Sequence, residues 1–227
     1  MFNLYNYIYM KSLKEYIDEG LLDRVKNKEV NHKILIEEFL EANYKIKGSY
    51  TIKETKNGFI VDVEYDIKVI NKDITSLTNE FFEFGEVGEQ FYCTGCKSLK
   101  SLKGAPQKVG GDFWCRSCDS LKTLEGAPKE VGGEFICSYC DSLISLKGAP
   151  QEVGGAFNCS HCKSLKTLEG APEEVLWGFY CHHCSNLKSL EGAPKEIGGN
   201  FYCNNCGIEF TEEDVKKYTT VVKKIYI

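Results

Sequence analysis

The feature that most constrains this chain is a phrase that repeats every 22 residues. Phenylalanine recurs at this spacing, with no insertion, at Phe91, Phe113, Phe135, Phe157, Phe179 and Phe201. Five copies of the phrase behind it are complete, and a sixth ends after Cys206. So strict a period makes each copy one coil that stacks on the next, because a single copy cannot bury its own apolar face. The sequence therefore predicts a repeat solenoid.

Within one coil the residue types predict the path of the backbone. Phe113 and Cys115 flank Trp114, so a short strand should turn Phe and Cys inward and Trp outward. Two leucines three residues apart then return on an irregular or 3₁₀-like segment, and Gly-Ala-Pro turns the chain. A valine packs inward before Gly-Gly lets the backbone bend into the next strand. Successive strands should pair in parallel, about 4.8 Å apart, as a sheet on one face of the stack.

The phrase Val-x-x-x-Phe-x-Cys-x-x-Cys-x-x-Leu-x-x-Leu resembles the leucine-rich repeat family, whose ninth position is usually Asn or Cys, as at Cys118. The wording Cys-x-Ser-Leu-x-x-Leu is similar to the bacterial surface-antigen type of these repeats. Ser-Leu-x-x-Leu-x-Gly-Ala-Pro-x-x-Val-Gly-Gly looks like the phrase of uncharacterised repeat proteins from tailed bacteriophages and gut bacteria. The likeness covers residues 67–206 and implies a leucine-rich-repeat-like stack. Such repeats host many binding roles, and a phage-encoded member would act on a host protein.

Both ends of the stack are predicted to be capped, since an uncapped coil exposes its core. Residues 1–66 read as an N-terminal cap of two helices and a β-hairpin that turns at Asn57-Gly58. The solenoid then covers 67–206, and residues 207–227 form a short C-terminal cap. In the solenoid a degenerate coil over 69–90 precedes coils that start at 91, 113, 135, 157, 179 and 201. The apolar helix faces would be Leu13, Ile17, Leu21 and Val25, then Ile36, Phe39 and Leu40, with Asn31 a candidate N-cap.

The C-terminal cap carries its own start signal. Thr211-Glu212-Glu213-Asp214 resembles a capping box with Asp in place of the usual Glu, so a short helix should begin there. The apolar residues from Val221 to Ile227 should close the last strand.

Twelve cysteines form six Cys-x-x-Cys pairs and admit two interpretations. They are Cys93, Cys96, Cys115, Cys118, Cys137, Cys140, Cys159, Cys162, Cys181, Cys184, Cys203 and Cys206. Pairs from neighbouring coils fit a Cys₄ zinc template, with His161, His182 and His183 inside the pairs. The alternative is two ladders of small buried thiols. The degenerate coil favours packing without a cofactor, because Asn71 and Ile74 stand at the two cysteine positions and isoleucine binds no metal.

Charge and composition narrow the classes of function. The net charge is -5, and residues 91–206 carry 12 basic and 12 acidic side chains, which argues against nucleic-acid and membrane partners. We identify no signal peptide at Met1, and Met10 is an alternative start, so we expect a cytoplasmic protein, in the host cytoplasm if phage-encoded. No catalytic constellation or phosphate loop accompanies the repeat, so we expect no enzyme.

The outward columns of the coils are where a protein partner would bind. The strand column reads Tyr92, Trp114, Ile136, Asn158, Tyr180 and Tyr202, and the column before the second cysteine contains Tyr139, His161 and His183. Aromatic side chains are enriched in interface hot spots, although stacked aromatics also stabilise neighbouring strands. Val175-Leu176-Trp177-Gly178 replaces Val-Gly-Gly in one copy, which makes Trp177 a further candidate. The predicted binding surface is Tyr92, Trp114, Ile136, Tyr139, His161, Trp177, Tyr180, His183 and Tyr202.

Overall fold

A computed structural model describes residues 32–79 and 81–227 and confirms the predicted solenoid. The chain forms a β-solenoid of about eight coils, with a repeat of roughly 22 residues and parallel stacking of the strands. Asn43–Ile227 make up one compact unit, and the chain up to Ala42 belongs to another. The first predicted helix and the proposed N-cap Asn31 lie outside the described residues.

The regular elements are short, and most strands contain only two residues. In chain order they are α1 (His32–Asn43), β1 (Tyr44–Ile46), β2 (Tyr50–Thr55), β3 (Gly58–Val63), β4 (Ile67–Val69), β5 (Phe82–Val87), β6 (Phe91–Tyr92), β7 (Lys108–Val109), β8 (Phe113–Trp114), β9 (Glu130–Val131), β10 (Phe135–Ile136), β11 (Glu152–Val153), β12 (Phe157–Asn158), β13 (Glu174–Val175), β14 (Phe179–Tyr180), β15 (Glu196–Ile197), β16 (Phe201–Tyr202), α2 (Glu212–Tyr218), β17 (Thr220–Val221) and β18 (Ile225–Tyr226).

Each coil contributes one strand to each of two faces. The first sheet has nine strands in the order β1-β4-β6-β8-β10-β12-β14-β16-β18. Its repeat strands pair in parallel with no slip, so that Phe113 lies opposite Phe135 and Trp114 opposite Ile136. This is the predicted sheet. The second face was not predicted: the Lys/Glu-Val pair of each coil is also a strand, and these strands form a six-stranded and a three-stranded sheet.

A ladder of phenylalanine rings runs through the core along the first sheet. The rings from Phe91 to Phe179 are buried, and successive rings stack with centroids 5.2–5.3 Å apart and planes within 15°. Stacked aromatic pairs stabilise by about 0.5–1.5 kcal/mol each beyond the area they bury. The cysteines, the leucines and the second-sheet valine or isoleucine of the repeat line the same core and are buried, apart from the partly buried Cys206.

The Gly-Ala-Pro segment turns as its residue types predict. Gly126 has φ +89°, a value that residues with a side chain rarely adopt, and the equivalent glycines of the other coils have φ between +84° and +90°. The leucine segment is a series of turns: the Leu121 N–H donates to the Cys118 carbonyl at 3.0 Å.

The Gly-Gly pair has a different role from the predicted one. A Cβ on Gly132 would lie against the carbonyl oxygen of Gly110 in the preceding coil, closer than any real Cβ contact, although the φ of Gly132 is ordinary. Gly154 is equally confined by Gly132. Glycine is therefore required here because the neighbouring backbone occupies the space of a side chain, and not because the chain bends.

The same confinement explains a break in the second sheet. Leu176 and Trp177 occupy the positions of the Gly-Gly pair, and their side chains cannot fit against the preceding coil. The second sheet is interrupted there: β11 ends one sheet and β13 begins the next. Leu176 and Trp177 are instead 64% and 66% exposed.

The N-terminal hairpin is confirmed, but it bends around a corner. β1 pairs antiparallel with β4 in the first sheet, and β2 pairs antiparallel with β3 in the second. The alternating pattern predicted two continuous strands and gave no sign of the corner, where Gly48 has φ +73°. The tight turn is Lys56-Asn57, and Gly58 already pairs with Thr55, one position from the prediction.

The C-terminal predictions are confirmed. Thr211 is the N-cap of α2, its hydroxyl accepts from the Asp214 N–H, and the Asp214 carboxylate accepts from the Thr211 N–H at 2.8 Å. β17 and β18 then extend the two faces of the stack in parallel. In the described ranges, no helix is long and apolar enough to cross a membrane.

Candidate functional site

The outward column of the first sheet divides into two aromatic groups. Tyr92 and Trp114 meet edge to face with centroids 5.1 Å apart, and the Tyr92 hydroxyl donates to Gln90. Ile136 and Asn158 interrupt the column. Beyond them Tyr180, Tyr202 and Tyr226 stack face to face, with centroids 4.8 Å and 4.2 Å apart. All these side chains except Tyr226, which is exposed, are half-buried.

A second column of rings lies beside the first. Tyr139, His161 and His183 stack with centroids 4.3 Å and 4.5 Å apart and planes within 15°. The Arg116 guanidinium lies over the outer face of Tyr139, 4.8 Å from its centroid, in a cation–π contact. Together with His182 and the tyrosine stack, these rings form a continuous surface, here called the aromatic–histidine face: Arg116, Tyr139, His161, Tyr180, His182, His183, Tyr202 and Tyr226.

The backbone beneath the second column is strained. Tyr139, His161 and His183 have φ of 59°, 59° and 57°, in the left-handed region that costs an L-residue about 1–2 kcal/mol. Gly95 occupies the same position in the first full coil, and a Cβ there would meet nothing within 4 Å. The fold therefore accepts glycine at this position, yet the central coils place large rings there at a cost in stability. Strain of this kind is concentrated at functional sites.

Two histidines of the face, His161 and His182, have lowered pKa values. Burial, followed by the nearby His183 and Arg116, lowers the pKa of His161 below 6.5. Burial and the other two imidazoles also lower the pKa of His182. His182 lies edge to face with both His161 and His183 at 5.4 Å, and its Nδ1 is buried without a hydrogen-bond partner among the described residues.

A concavity of about 520 Å³ opens at the C-terminal end of this face. Its walls are Tyr180, His182, His183, Tyr202, Asn204, Tyr226 and Ile227. The rings stack along the solenoid axis, so most of them present their edges outward. Hydroxyl and imidazole groups at those edges can donate or accept hydrogen bonds, while the ring carbons offer apolar contact.

The structure brings most of the predicted residues into this face and leaves four elsewhere. Tyr92, Trp114 and Ile136 lie on the same sheet toward the N-terminal coils, and the exposed Trp177 lies in the segment of the chain that connects β13 to β14. The sequence prediction missed Arg116, His182 and Tyr226 as surface residues. Arg116 and His182 belong to the column after the first cysteine. This column shows no aromatic pattern: it reads Thr94, Arg116, Ser138, Ser160, His182 and Asn204. Tyr226 was missed because its strand follows the previous one after 24 residues, out of the repeat register.

The cysteines form two ladders in the core. The Cys140 thiol donates to the Cys115 carbonyl at 3.2 Å, and the equivalent thiols make the same bond between neighbouring coils at 3.1–3.3 Å. Burial raises the pKa of the Cys184 and Cys203 thiols to about 12, so both are protonated at neutral pH. These bonds show what the second cysteine does in a protonated ladder: it ties each coil to the one before it.

Zinc ligation would require these thiols as thiolates with their sulfurs converging on one point. In the part of the chain that is described, no group of three or more His, Cys, Asp or Glu side chains is arranged to hold a metal. The preference for packed thiols over zinc stays a prediction that a metal analysis will test.

No protein-family model, curated protein or solved structure matches this chain. The class of protein is defined by the fold alone: a β-solenoid of 22-residue coils with two parallel faces.

Proposed function

We propose that this chain is a non-enzymatic, protein-binding solenoid whose contact surface is the aromatic–histidine face. The observation that carries the proposal is the strained column of Tyr139, His161 and His183. Rings that a stack of this kind does not need are held in a costly backbone conformation, where they widen an exposed surface.

Three further properties favour a protein as the ligand. Tyrosine and histidine rings with one polar edge are suited to partly hydrated contacts, and Tyr is a frequent hot-spot residue. The tyrosines of the first column rest on paired strands, and the turns beneath the second column are hydrogen-bonded to the next coil, so little conformational entropy is lost on binding. The face extends over several coils and is shallow, unlike the enclosed pocket that a small molecule prefers. The resemblance to phage and gut-bacterial repeat proteins adds the proposal that the partner is a host protein in the bacterial cytoplasm.

Replacing the three strained residues by asparagine provides the test. Asn occupies the same column at Asn205 with φ 55°, so Tyr139→Asn, His161→Asn and His183→Asn should be accepted by the backbone. The tagged wild-type chain should capture a defined set of proteins from bacterial lysate, measured by quantitative mass spectrometry. The triple variant should retain less than about a tenth of it, as expected when hot-spot residues are lost.

A matched control replaces three exposed lysines on another side of the coils, Lys122, Lys166 and Lys188, by asparagine. This control should capture the same proteins as the wild type. Equal capture by the Asn triple variant at the ring positions, with circular dichroism unchanged, would refute the assignment of the face.

A further inference from the structure

A groove crosses the second sheet, on a different side of each coil from the aromatic–histidine face. Its volume is about 450 Å³. The floor contains Gly110, Gly132 and Gly154, which carry no side chain because the backbone of the preceding coil excludes one. Leu176 contributes to the wall at the coil where the sheet is interrupted. The groove exists because glycine forms its floor and a leucine in the glycine column rises at its end.

The charges along the groove are unbalanced. Its lining includes one lysine, Lys108, and four glutamates, Glu130, Glu152, Glu173 and Glu174. Lys108 is 3.1 Å from Glu130, and Lys195 is 3.0 Å from Glu173. Within the described ranges, no salt bridge involves Glu152 or Glu174. The repeat region as a whole is neutral, so the coils segregate acidic groups onto this surface.

This arrangement has a cost in stability. Glu130 pairs in register with Glu152, and like charges directly opposite each other destabilise a sheet. In the column from Lys103 to Glu169 the charges alternate instead, and Lys147 lies 3.8 Å from Glu125. Alternation is therefore available to this repeat but is absent from Glu130 to Glu174 beside the groove.

One exposed apolar side chain, Leu176, lines the groove together with the excess carboxylates, and Trp177 follows it in the chain. Leu176 and Trp177 are among the most exposed large hydrophobic residues of the described chain. They replace two glycines, and the sheet is interrupted at that point. Tryptophan is the residue most enriched in binding hot spots. An apolar group of a ligand can therefore pack against this wall, and the carboxylates favour a ligand that is positively charged.

We propose that this groove binds an extended, basic segment of a partner protein, which places one apolar side chain against Leu176, next to the exposed Trp177. The lining spans the coils from Lys108 to Glu174, on the order of 15 Å at the spacing of parallel strands, which four or five extended residues can cover. Arginine or lysine side chains of the segment neutralise Glu152 and Glu174 and relieve their repulsion. Electrostatic complementarity of this kind selects partners and accelerates encounter. The groove is a second surface and does not depend on the function proposed for the aromatic–histidine face.

The probes are two pools of capped, fluorescent octapeptides, each with one leucine and otherwise small neutral residues. One pool carries three arginines at randomised positions, and the other carries three glutamates. Fluorescence anisotropy should show saturable binding of the arginine pool only, and the affinity should fall as salt is added. Equal binding of the two pools, or no binding of either, would overturn the proposal.

Two variants locate the site. Leu176→Gly with Trp177→Gly restores the Val-Gly-Gly wording of the other coils, so folding is preserved, and it should weaken binding by at least about tenfold. Glu152→Gln with Glu174→Gln should weaken binding by about tenfold and flatten the salt dependence. The matched control, Glu169→Gln with Glu191→Gln, makes the same change in net charge outside the groove and should bind as the wild type does.

Two further measurements distinguish this proposal from self-association and from peptide binding to the other face. If the chain self-associates in sedimentation velocity and the Leu176→Gly, Trp177→Gly variant is monomeric, the occupant is a second copy and the proposal is wrong. The Asn triple variant of the aromatic–histidine face should bind the arginine pool normally. Loss of binding in that variant would show that the peptides occupy the other face, which distinguishes failure of this proposal from failure of the first.

Discussion

At the scale of single residues, one position of each coil has a left-handed backbone, and the residues there differ in how well they suit it. Six successive coils place Gly95, Ser117, Tyr139, His161, His183 and Asn205 at one position with φ between 55° and 75°. Glycine and asparagine suit this conformation, and serine is small. Only the three central residues are bulky, and those three are stacked. The stack therefore offsets part of the strain that its own backbone creates.

This balance can be measured with two substitutions. Ser117→Gly should raise the free energy of unfolding by about 0.5–1 kcal/mol, because glycine adopts positive φ without a steric cost. His161→Gly should not give this gain, since it loses two stacked neighbours worth about 0.5–1.5 kcal/mol each. Urea denaturation gives both values. An equal gain from the two changes would mean that the stack contributes nothing to stability.

The histidines predict a pH dependence of stability with a definite sign. The pKa values of His161 and His182 in the folded chain lie below the ordinary 6.5, so the unfolded chain binds protons first. Stability from these residues is fully present above pH 6.5 and is lost as pH falls from there toward the folded pKa values. After burial, the neighbours that lower the pKa of His161 are His183, Arg116 and Lys163.

Urea denaturation between pH 7.5 and pH 5 checks this dependence. The wild type should lose stability over that range. His161→Asn with His182→Asn should lose less, because asparagine does not titrate. Identical pH profiles for the two proteins would show that these histidines are not responsible.

At the scale of elements, the second sheet depends on glycine as a spacer. Strands of the repeat contain two residues each, so few hydrogen bonds hold neighbouring coils together on this face. Close approach of the Gly-Gly backbone to the preceding coil is what allows those bonds to form. The chain itself contains the exception, since Leu176 and Trp177 coincide with the interruption of the sheet.

Gly132→Ala tests whether glycine is needed because the preceding coil leaves no room for a side chain, as distinct from a need for positive φ. We expect it to lower the free energy of unfolding by about 2 kcal/mol or more, because the added methyl group meets the Gly110 carbonyl. Gly95→Ala is the comparison: it has open space around its Cβ, and only its φ of +75° should cost about 1 kcal/mol. If Gly132→Ala is as mild as Gly95→Ala, the neighbouring coil moves aside and the steric explanation is incorrect.

At the scale of the whole molecule, stability comes from columns that run the length of the stack. The phenylalanine rings, the leucines and the thiols repeat with the coil, so each coil is held mainly by its two neighbours. The thiol-to-carbonyl bonds add a polar connection between coils inside an apolar core. A metal-dependent fold would behave differently, because removal of the metal would unfold it.

The zinc content of the protein distinguishes packed thiols from a metal-dependent fold. We expect less than one zinc ion per chain in protein purified under reducing conditions without chelator, and no change of Tm when EDTA is added. Four thiolates bind one zinc ion, so the alternative requires about three ions per chain. A value near three, with a Tm that falls in chelator, would replace the packed-thiol interpretation by three Cys₄ sites.

The sequence by itself determined the coil, its length, its inward columns and the capping box of the C-terminal helix. Those features are local or periodic: a 22-residue phrase repeats, Gly126 and its equivalents precede proline turns, and Thr211 caps its own helix. An outward position such as Tyr180 could be read from strand alternation with the buried Phe179 and Cys181. Each conclusion needed only neighbours in the chain or a comparison of one coil with another.

Only the tertiary structure decided the second sheet, the corner in the hairpin and the composition of the two surfaces. The strand that ends at Val131 is followed by two glycines, so it shows no alternation of side chains to detect. The need for glycine at Gly132 arises from a carbonyl that belongs to another coil. Tyr226 joins the aromatic–histidine face because a coil of unequal length still pairs in register. His182 joins it because its ring lies edge to face with His161 and His183. The acidic groove likewise depends on stacking, since carboxylates 22 residues apart become neighbours only when their strands lie side by side.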